Sequence, residues 1–364
     1  MRVLSKFNWR SFDWPLAAAV FLLIAIGLTA IYSVDLSRGA ELSFLKKQLV
    51  ALTIGFILFV TASLTQPNFF RAYAKWFYLV CLVLLAGVLI FGRAIRGTTG
   101  WFVLGGFNFQ PVELAKLGVI LILAYIITGF GRRFERPLFF FGTGLVALSA
   151  AALVLLQPDL GSAVILGLIW FGLMIMVGVR RTYILGFVLV ALIAAVAVWF
   201  FLLQPYQKDR ILIFVDPNRD PLGAGYNISQ AIIAIGSGQW FGRGLGFGSQ
   251  SQLKFLPEAQ TDFIFSAIGE ELGFAGTAAM IGIFSFMLWR LVDIARRSDN
   301  DFGSTFASGV AIALFAQFVV NVGANLGLLP ITGVTLPFVS YGGSSLVVNL
   351  LMIGIVESMV VRRY

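Results

Sequence analysis

Apolar runs of roughly 17–25 residues recur along almost the whole chain, and they constrain its fold more than any other feature. A run of that length crosses the hydrocarbon core of a bilayer as an α-helix, because helical hydrogen bonding satisfies every backbone group within the segment. Ten runs qualify: Trp14–Ser33, Gln48–Leu64, Trp76–Phe91, Val112–Phe130, Leu138–Leu156, Leu160–Val177, Tyr183–Leu203, Asp262–Leu288, Phe302–Leu326 and Tyr341–Val361. Charged residues are only 12% of the 364, about half the roughly 25% usual in a soluble domain. The pattern predicts an all-α polytopic membrane protein, a single transmembrane domain over residues 1–364.

Charge orients the bundle. The first run follows Arg2, Lys6 and Arg10 and ends without a small-residue cleavage pattern, so it reads as a retained span. Basic residues such as Arg71, Lys75, Arg136, Arg180, Arg181, Arg290 and Arg362 fall in the short segments on the N-terminal side. By the positive-inside rule both termini are expected in the cytoplasm. The net charge of +9 is then a topology signal, with no nucleic-acid partner implied.

The segment 204–261, between spans 7 and 8, departs from this economy. It is expected on the extracytoplasmic side, and a loop so long is uncommon unless it has a function. Its stretch Gln230–Gly236 is amphipathic and predicts a helix in the membrane interface. Six glycines follow, at 236, 238, 242, 244, 246 and 248. No strand–helix context makes them a dinucleotide fingerprint. They fit a flexible linker or a backbone nest for an anion, assisted by Arg243 and Lys254.

The chain has no histidine and one cysteine, Cys81. An intrachain disulfide and a Cys-based zinc site are excluded, and acid–base chemistry falls to carboxylates. A carboxylate-bound Mg²⁺ or Mn²⁺ is compatible with the donors present. Four clusters stand out at the same ends of spans, three of them with carboxylates. Gln110–Lys116 places Glu113 and Lys116 three apart on one helix face, as a self-neutralising pair or as cavity lining. In Gln157–Ser162, Asp159 either caps the next helix or faces a pocket. Asp262 closes the long loop, with Glu270 and Glu271 about two turns on, and is either a helix cap or an acid at the membrane edge. Leu336–Ser345 is a small-residue turn containing Ser340, Tyr341, Gly342 and Gly343. Converging, these clusters would form one outward-facing cavity suited to an amphiphile with an anionic head.

The same segments resemble the SEDS family (shape, elongation, division and sporulation) over nearly the whole chain. The motifs are QPVELAK, QPDLGSA, DPLGAGYNISQAIIAIGSG, GRGLGFGSQSQLKFLPE, TDFIFSAIGEELGF and LPFVSYGGSS, in that order. The loop and the short C-terminus look closest to the elongation (RodA-like) branch, with the division (FtsW-type) branch as the alternative. The resemblance implies a ten-span peptidoglycan glycosyltransferase that polymerises lipid II at the outer face of the bacterial inner membrane. It implies work beside a class B penicillin-binding protein, the transpeptidase, in a rod complex with MreC, MreD and MreB. Carried over residue by residue, the family's essential loop acid falls on Asp262, as proposed general base. Its acid–lysine pair falls on Glu113 and Lys116, its QPDLG acid on Asp159, and its loop Asp-Arg on Asp209 and Arg210. Arg210 and Lys116, with a divalent cation, would neutralise a leaving pyrophosphate. Where the family often has an Arg-Trp pair, this chain has Gly100-Trp101, with Arg93 and Arg96 as substitutes. A lipid II flippase is the competing function, and a scaffold for the transpeptidase a third.

Overall fold

The computed structural model describes residues 11–37, 42–95, 98–104, 107–131, 134–201, 208–209, 212–214, 216, 220 and 223–362. Ten of its helices are long and apolar enough to cross a membrane. They are α1 (Trp14–Leu36), α2 (Ser43–Leu64), α3 (Pro67–Phe91), α4 (Pro111–Gly129), α5 (Pro137–Leu155), α6 (Leu160–Val177), α7 (Arg181–Phe201), α10 (Ile264–Arg297), α11 (Asp301–Asn325) and α12 (Gly343–Val360). The loop before α10 adds α8 (Ala224–Ser237) and α9 (Ser249–Gln252). This is a multi-pass membrane protein.

Local sequence sets the helix starts. Proline occupies the first turn of α1, α3, α4 and α5, where its missing N–H leaves no hydrogen bond unmade. Helices α2 and α3 begin earlier than their apolar runs. The polar residues of those first turns are tolerated because they lie at the membrane edge, where long side chains reach water. At the other extreme, α10 runs 34 residues and carries Arg296 and Arg297 in its last turn.

Helices α4, α11 and α12 are the most enclosed, and α7 lies at the periphery. Close approach of α2 and α12 depends on Gly354, whose missing Cβ would sit 2.5 Å from the Phe59 carbonyl oxygen. Helix α7 touches the bundle mainly through its first turns, where Tyr183 and Phe187 meet Phe140 and Trp170. A second, small hydrophobic core lies beneath the loop and joins Val34, Ala231, Ala234, Leu256, Ala259, Phe263 and Ala267. It seats α8, the helix expected from Gln230–Gly236, against α10.

The sequence pattern did not anticipate a three-stranded antiparallel sheet between α3 and α4: β1 (Arg93–Ile95), β2 (Thr98–Leu104) and β3 (Phe107–Phe109). Nor did it anticipate a charged cluster at the opposite end of the bundle. There Asp13 caps α1 and pairs with Arg290 of α10 at 2.5 Å, while its own N–H donates to Glu357 of α12 at 3.1 Å. Asp293 completes the set through Arg290. Together these groups tie α1, α10 and α12 to one another at this end.

Candidate active site

The site is built around a short irregular segment, Gln260-Thr261-Asp262. Its three consecutive carbonyls are each held by a different partner. The Gln260 oxygen accepts from the Tyr341 N–H at 2.8 Å. The Thr261 oxygen accepts from the Ser340 hydroxyl at 2.7 Å. The Asp262 oxygen accepts from the Asn321 and Asn325 side-chain amides of α11, at 3.2 and 2.8 Å. Backbone outside a helix at membrane depth must find such partners, and here each is supplied. Asn325 also accepts from the N–H and the hydroxyl of Ser266 in the first turn of α10. Asp262 therefore follows a backbone fixed on two sides.

The Leu336–Ser345 turn is fixed in the same way. Gln48 of α2 donates to the Ser340 carbonyl and accepts from the Gly342 N–H. Ser344 accepts from the Gln110 N–H and donates to the Asn108 carbonyl, joining α12 to the start of α4.

Above this framework lies a cavity of about 240 Å³. Asp262 and Asp159 both line it, with Lys47, Trp101, Asn108, Tyr341, Gly342 and Gly343. The first turn of α12 opens onto it and brings the positive end of a helix dipole. A second space of about 150 Å³ lies beyond Asp262 and is lined by Asn227, Pro257, Glu258 and Ile331, so Asp262 borders both.

Of the candidate residues from the sequence, Asp262, Asp159, Tyr341, Gly342 and Gly343 thus meet in one cavity. Asp159 both caps and lines. Its carboxylate accepts from the N–H and hydroxyl of Ser162 at 2.9 and 2.7 Å, and it also forms cavity wall. Burial pushes its carboxyl above the usual carboxylate range, against the Ser162 hydrogen bonds and the Lys116 charge, which lower it.

Glu113 and Lys116 lie in the core of the bundle. The Lys116 ammonium is 2.8 Å from both Glu113 oxygens and donates to Gln317 of α11 at 3.1 Å. Ser340 is buried, and its hydroxyl is used on Thr261 and the Leu336 N–H. Lys254 is exposed, away from the lining. Arg210 and Arg96 lie outside the described residues. Glu270 and Glu271 turn from the cavity into the loop: Glu270 accepts from the N–H groups of Gln250 and Ser251, and Glu271 from the Ser33 hydroxyl.

The glycine run lies against α10. That helix breaks at Gly273, whose φ of 67° and ψ of −163° suit glycine alone. The break frees the carbonyls of Glu270 and Glu271 and the N–H groups of Phe274 and Ala275. Arg243, Gly244, Gln239 and Trp240 take them up at 2.8–3.0 Å. A Cβ on Gly242 would lie 2.1 Å from the Glu271 oxygen.

Three contributors were missed in the sequence. Asn321 and Asn325 carried a usable signal, two amides four apart in an apolar span. Lys47, near the start of α2, carries no signal in the sequence that sets it apart from an ordinary loop charge. Gly100 has its absent side chain directed at Gln157, with the would-be Cβ 3.2 Å from Oε1. Among the described residues no group of three or more His, Cys, Asp or Glu could hold a metal.

Comparison with known proteins fits this geometry. Residues 14–364 match the family model for cell cycle proteins of the FtsW, RodA and SpoVE type. Peptidoglycan glycosyltransferase MrdB of Escherichia coli K12 is 36% identical over 94% of this chain and 93% of its own length. A probable peptidoglycan glycosyltransferase FtsW of Thioalkalivibrio is 40% identical over 95% of this chain and 88% of its own. The crystal structure of the rod shape determining protein RodA of Thermus thermophilus superposes with a TM-score of 0.74 at 32% identity, covering 98% of this chain and 99% of that one. A chain from a structure describing coordination of polymerization and crosslinking by a peptidoglycan synthase complex reaches 0.83 at 36% identity, over 98% and 99%. The chain belongs to the FtsW/RodA/SpoVE family of cell cycle proteins.

Proposed function

We propose that this chain is a peptidoglycan glycosyltransferase that polymerises lipid II at the outer face of the bacterial inner membrane. One observation carries the reading: Asp262, on a clamped backbone, shares a cavity at one end of a membrane bundle with a second acid, a lysine and a helix N-terminus. That set suits a lipid-borne pyrophosphate sugar, with the head in the cavity and the tail in the bilayer.

The acceptor's 4-hydroxyl attacks the anomeric carbon of the donor. Asp262 takes the hydroxyl proton, and the bond to the lipid pyrophosphate breaks with its electron pair on the leaving oxygen. A single displacement inverts the α-linked donor to a β1,4 link. Asp262 borders both spaces, so a hydroxyl entering from one meets a donor held in the other. Lys47 and the first turn of α12 stabilise the leaving charge. Asp159 would be the residue to hold a Mg²⁺ or Mn²⁺ brought in with the pyrophosphate, and the ion would add charge neutralisation. The buried Lys116–Glu113 pair supports the floor of the cavity. The cavity's polar groups concentrate at this end, and the ion pairs at the far end link helices to one another, which favours an enzyme over a flippase.

A class B penicillin-binding protein is the proposed partner, within a rod complex containing MreC, MreD and MreB. The elongation branch is supported by near-complete coverage of MrdB and RodA. The 40% identity to an FtsW favours the division role as second reading.

The test is polymerisation of labelled lipid II by the purified chain with its transpeptidase partner, the partner's own active site blocked. Glycan ladders from wild type and none from Asp262→Ala support the reading. Ladders from both variants remove Asp262 as base, and none from an intact wild-type complex removes the enzyme.

A further inference from the structure

The β1–β3 sheet has two unlike faces, and one of them serves the cavity. Phe102 turns toward α3, its ring tip 3.8 Å from where a Cβ on Gly87 would lie. Gly100, two residues back, shares that parity and faces Gln157. Trp101 points the other way, half-buried, and lines the cavity. Residues directly opposite in an antiparallel pair share a face, about 5 Å apart. Asn108 stands opposite Val103 and also lines the cavity. Arg93 stands opposite Trp101, next to a register shift in the ladder, and is an exposed residue outside the cavity lining, within reach of the Trp101 face.

Charge makes this placement consequential. A pyrophosphate carries at least two negative charges, and Lys47 is the sole cation lining the cavity among the described residues. Lys116 is enclosed and already engaged by Glu113 and Gln317. We infer that Arg93 and Trp101 form a platform for the substrate head: Arg93 binds a phosphate through its planar fork, and the Trp101 indole stacks on the apolar face of the adjoining amino sugar. Asn108 offers an amide to a ring substituent beside them. The inference rests on the glycosyltransferase reading for the identity of the substrate, and concerns binding alone.

The test is binding to the purified chain in nanodiscs of two probes, lipid II and undecaprenyl pyrophosphate, which lacks the sugars. Arg93→Ala should weaken both by about 10–100-fold, the range of a lost charge-assisted hydrogen bond. Arg93→Lys should recover part of that. Trp101→Leu should weaken lipid II alone, and Trp101→Phe should stay near wild type. In turnover, Arg93→Ala should raise KM and leave kcat within a few-fold. Wild-type affinity for both probes in Arg93→Ala overturns the platform, as does an equal loss of both probes in Trp101→Leu. Should Trp101→Leu fail to fold, the Arg93 variants carry the test. Binding with these patterns but without polymerisation keeps the platform and sinks the enzyme reading. Polymerisation with unshifted affinities does the reverse.

Discussion

Asn325→Ala is the sharpest probe of how the site is held. Asn325 is fully buried, and its amide donates to the carbonyls of Asp262 and Asn321 while its oxygen accepts twice from Ser266. Alanine removes all of these. The Asp262 carbonyl keeps Asn321, at the longer 3.2 Å, and the Ser266 hydroxyl can rotate to another acceptor. The Ser266 N–H cannot, because a first-turn amide has no partner within its helix. One orphaned donor and one weakened acceptor cost about 1–3 kcal/mol of local stability. The larger effect is on rate: displacing Asp262 by about 1 Å lowers kcat on the order of 100-fold. Asn325→Asp separates the two effects. It restores an acceptor for Ser266 but turns a second acceptor toward the Asp262 carbonyl, so the helix start recovers and the rate does not. The assay is lipid II polymerisation with kcat and KM resolved, beside thermal unfolding in detergent. Wild-type kcat in a folded Asn325→Asp variant would refute the clamp.

Three further outcomes follow from the geometry. Lys116→Met should destabilise the bundle by about 3–5 kcal/mol by stranding the buried Glu113, while the double change with Glu113→Gln recovers most of it; equal losses in detergent unfolding would dismiss the pair as a unit. Gly273→Ala puts a Cβ 2.3 Å from the Gly242 nitrogen at a positive φ. It should release the loop, seen as early proteolysis between residues 239 and 252 with the bundle still folded, and unchanged protection contradicts the strap. The native state holds the Asp159 proton more tightly than the unfolded chain, whose carboxyl titrates near 3.8, so ionisation costs stability as pH rises above that value. Asp159→Asn keeps the helix cap and loses this cost. Its stability advantage over wild type should grow across that rise, and a flat difference between pH 4 and 8 is the contrary result.

What was legible in the sequence followed from the simplest physics. Apolar length marked ten spans. Carboxylates at span ends marked Asp159 and Asp262, because an acid there needs a reason. Less legible was anything depending on partners remote in the chain. Ser340 looked like cavity lining, yet its hydroxyl supports a carbonyl 79 positions away. For the glycine run the sequence offers a linker or a nest, while its packing against the broken backbone at Gly273 is invisible until α10 and the loop are brought together. The sheet at 93–109 escaped because two of its strands are only three residues long, too short for alternation to register. Asp159 was both of the things it had been weighed as, a cap and a cavity wall.

The break in α10 also bears on how the molecule sits in bilayers of different thickness. At 1.5 Å per residue, the portion after the break, residues 274–297, spans about 36 Å, more than a hydrocarbon core of about 30 Å. The excess has to be absorbed by tilt. The portion before Gly273 is locked to the loop, so tilting is left to the long portion after it. Gly273 acts as a gimbal: the membrane segment leans to match its lipids while Asp262 keeps its height above them.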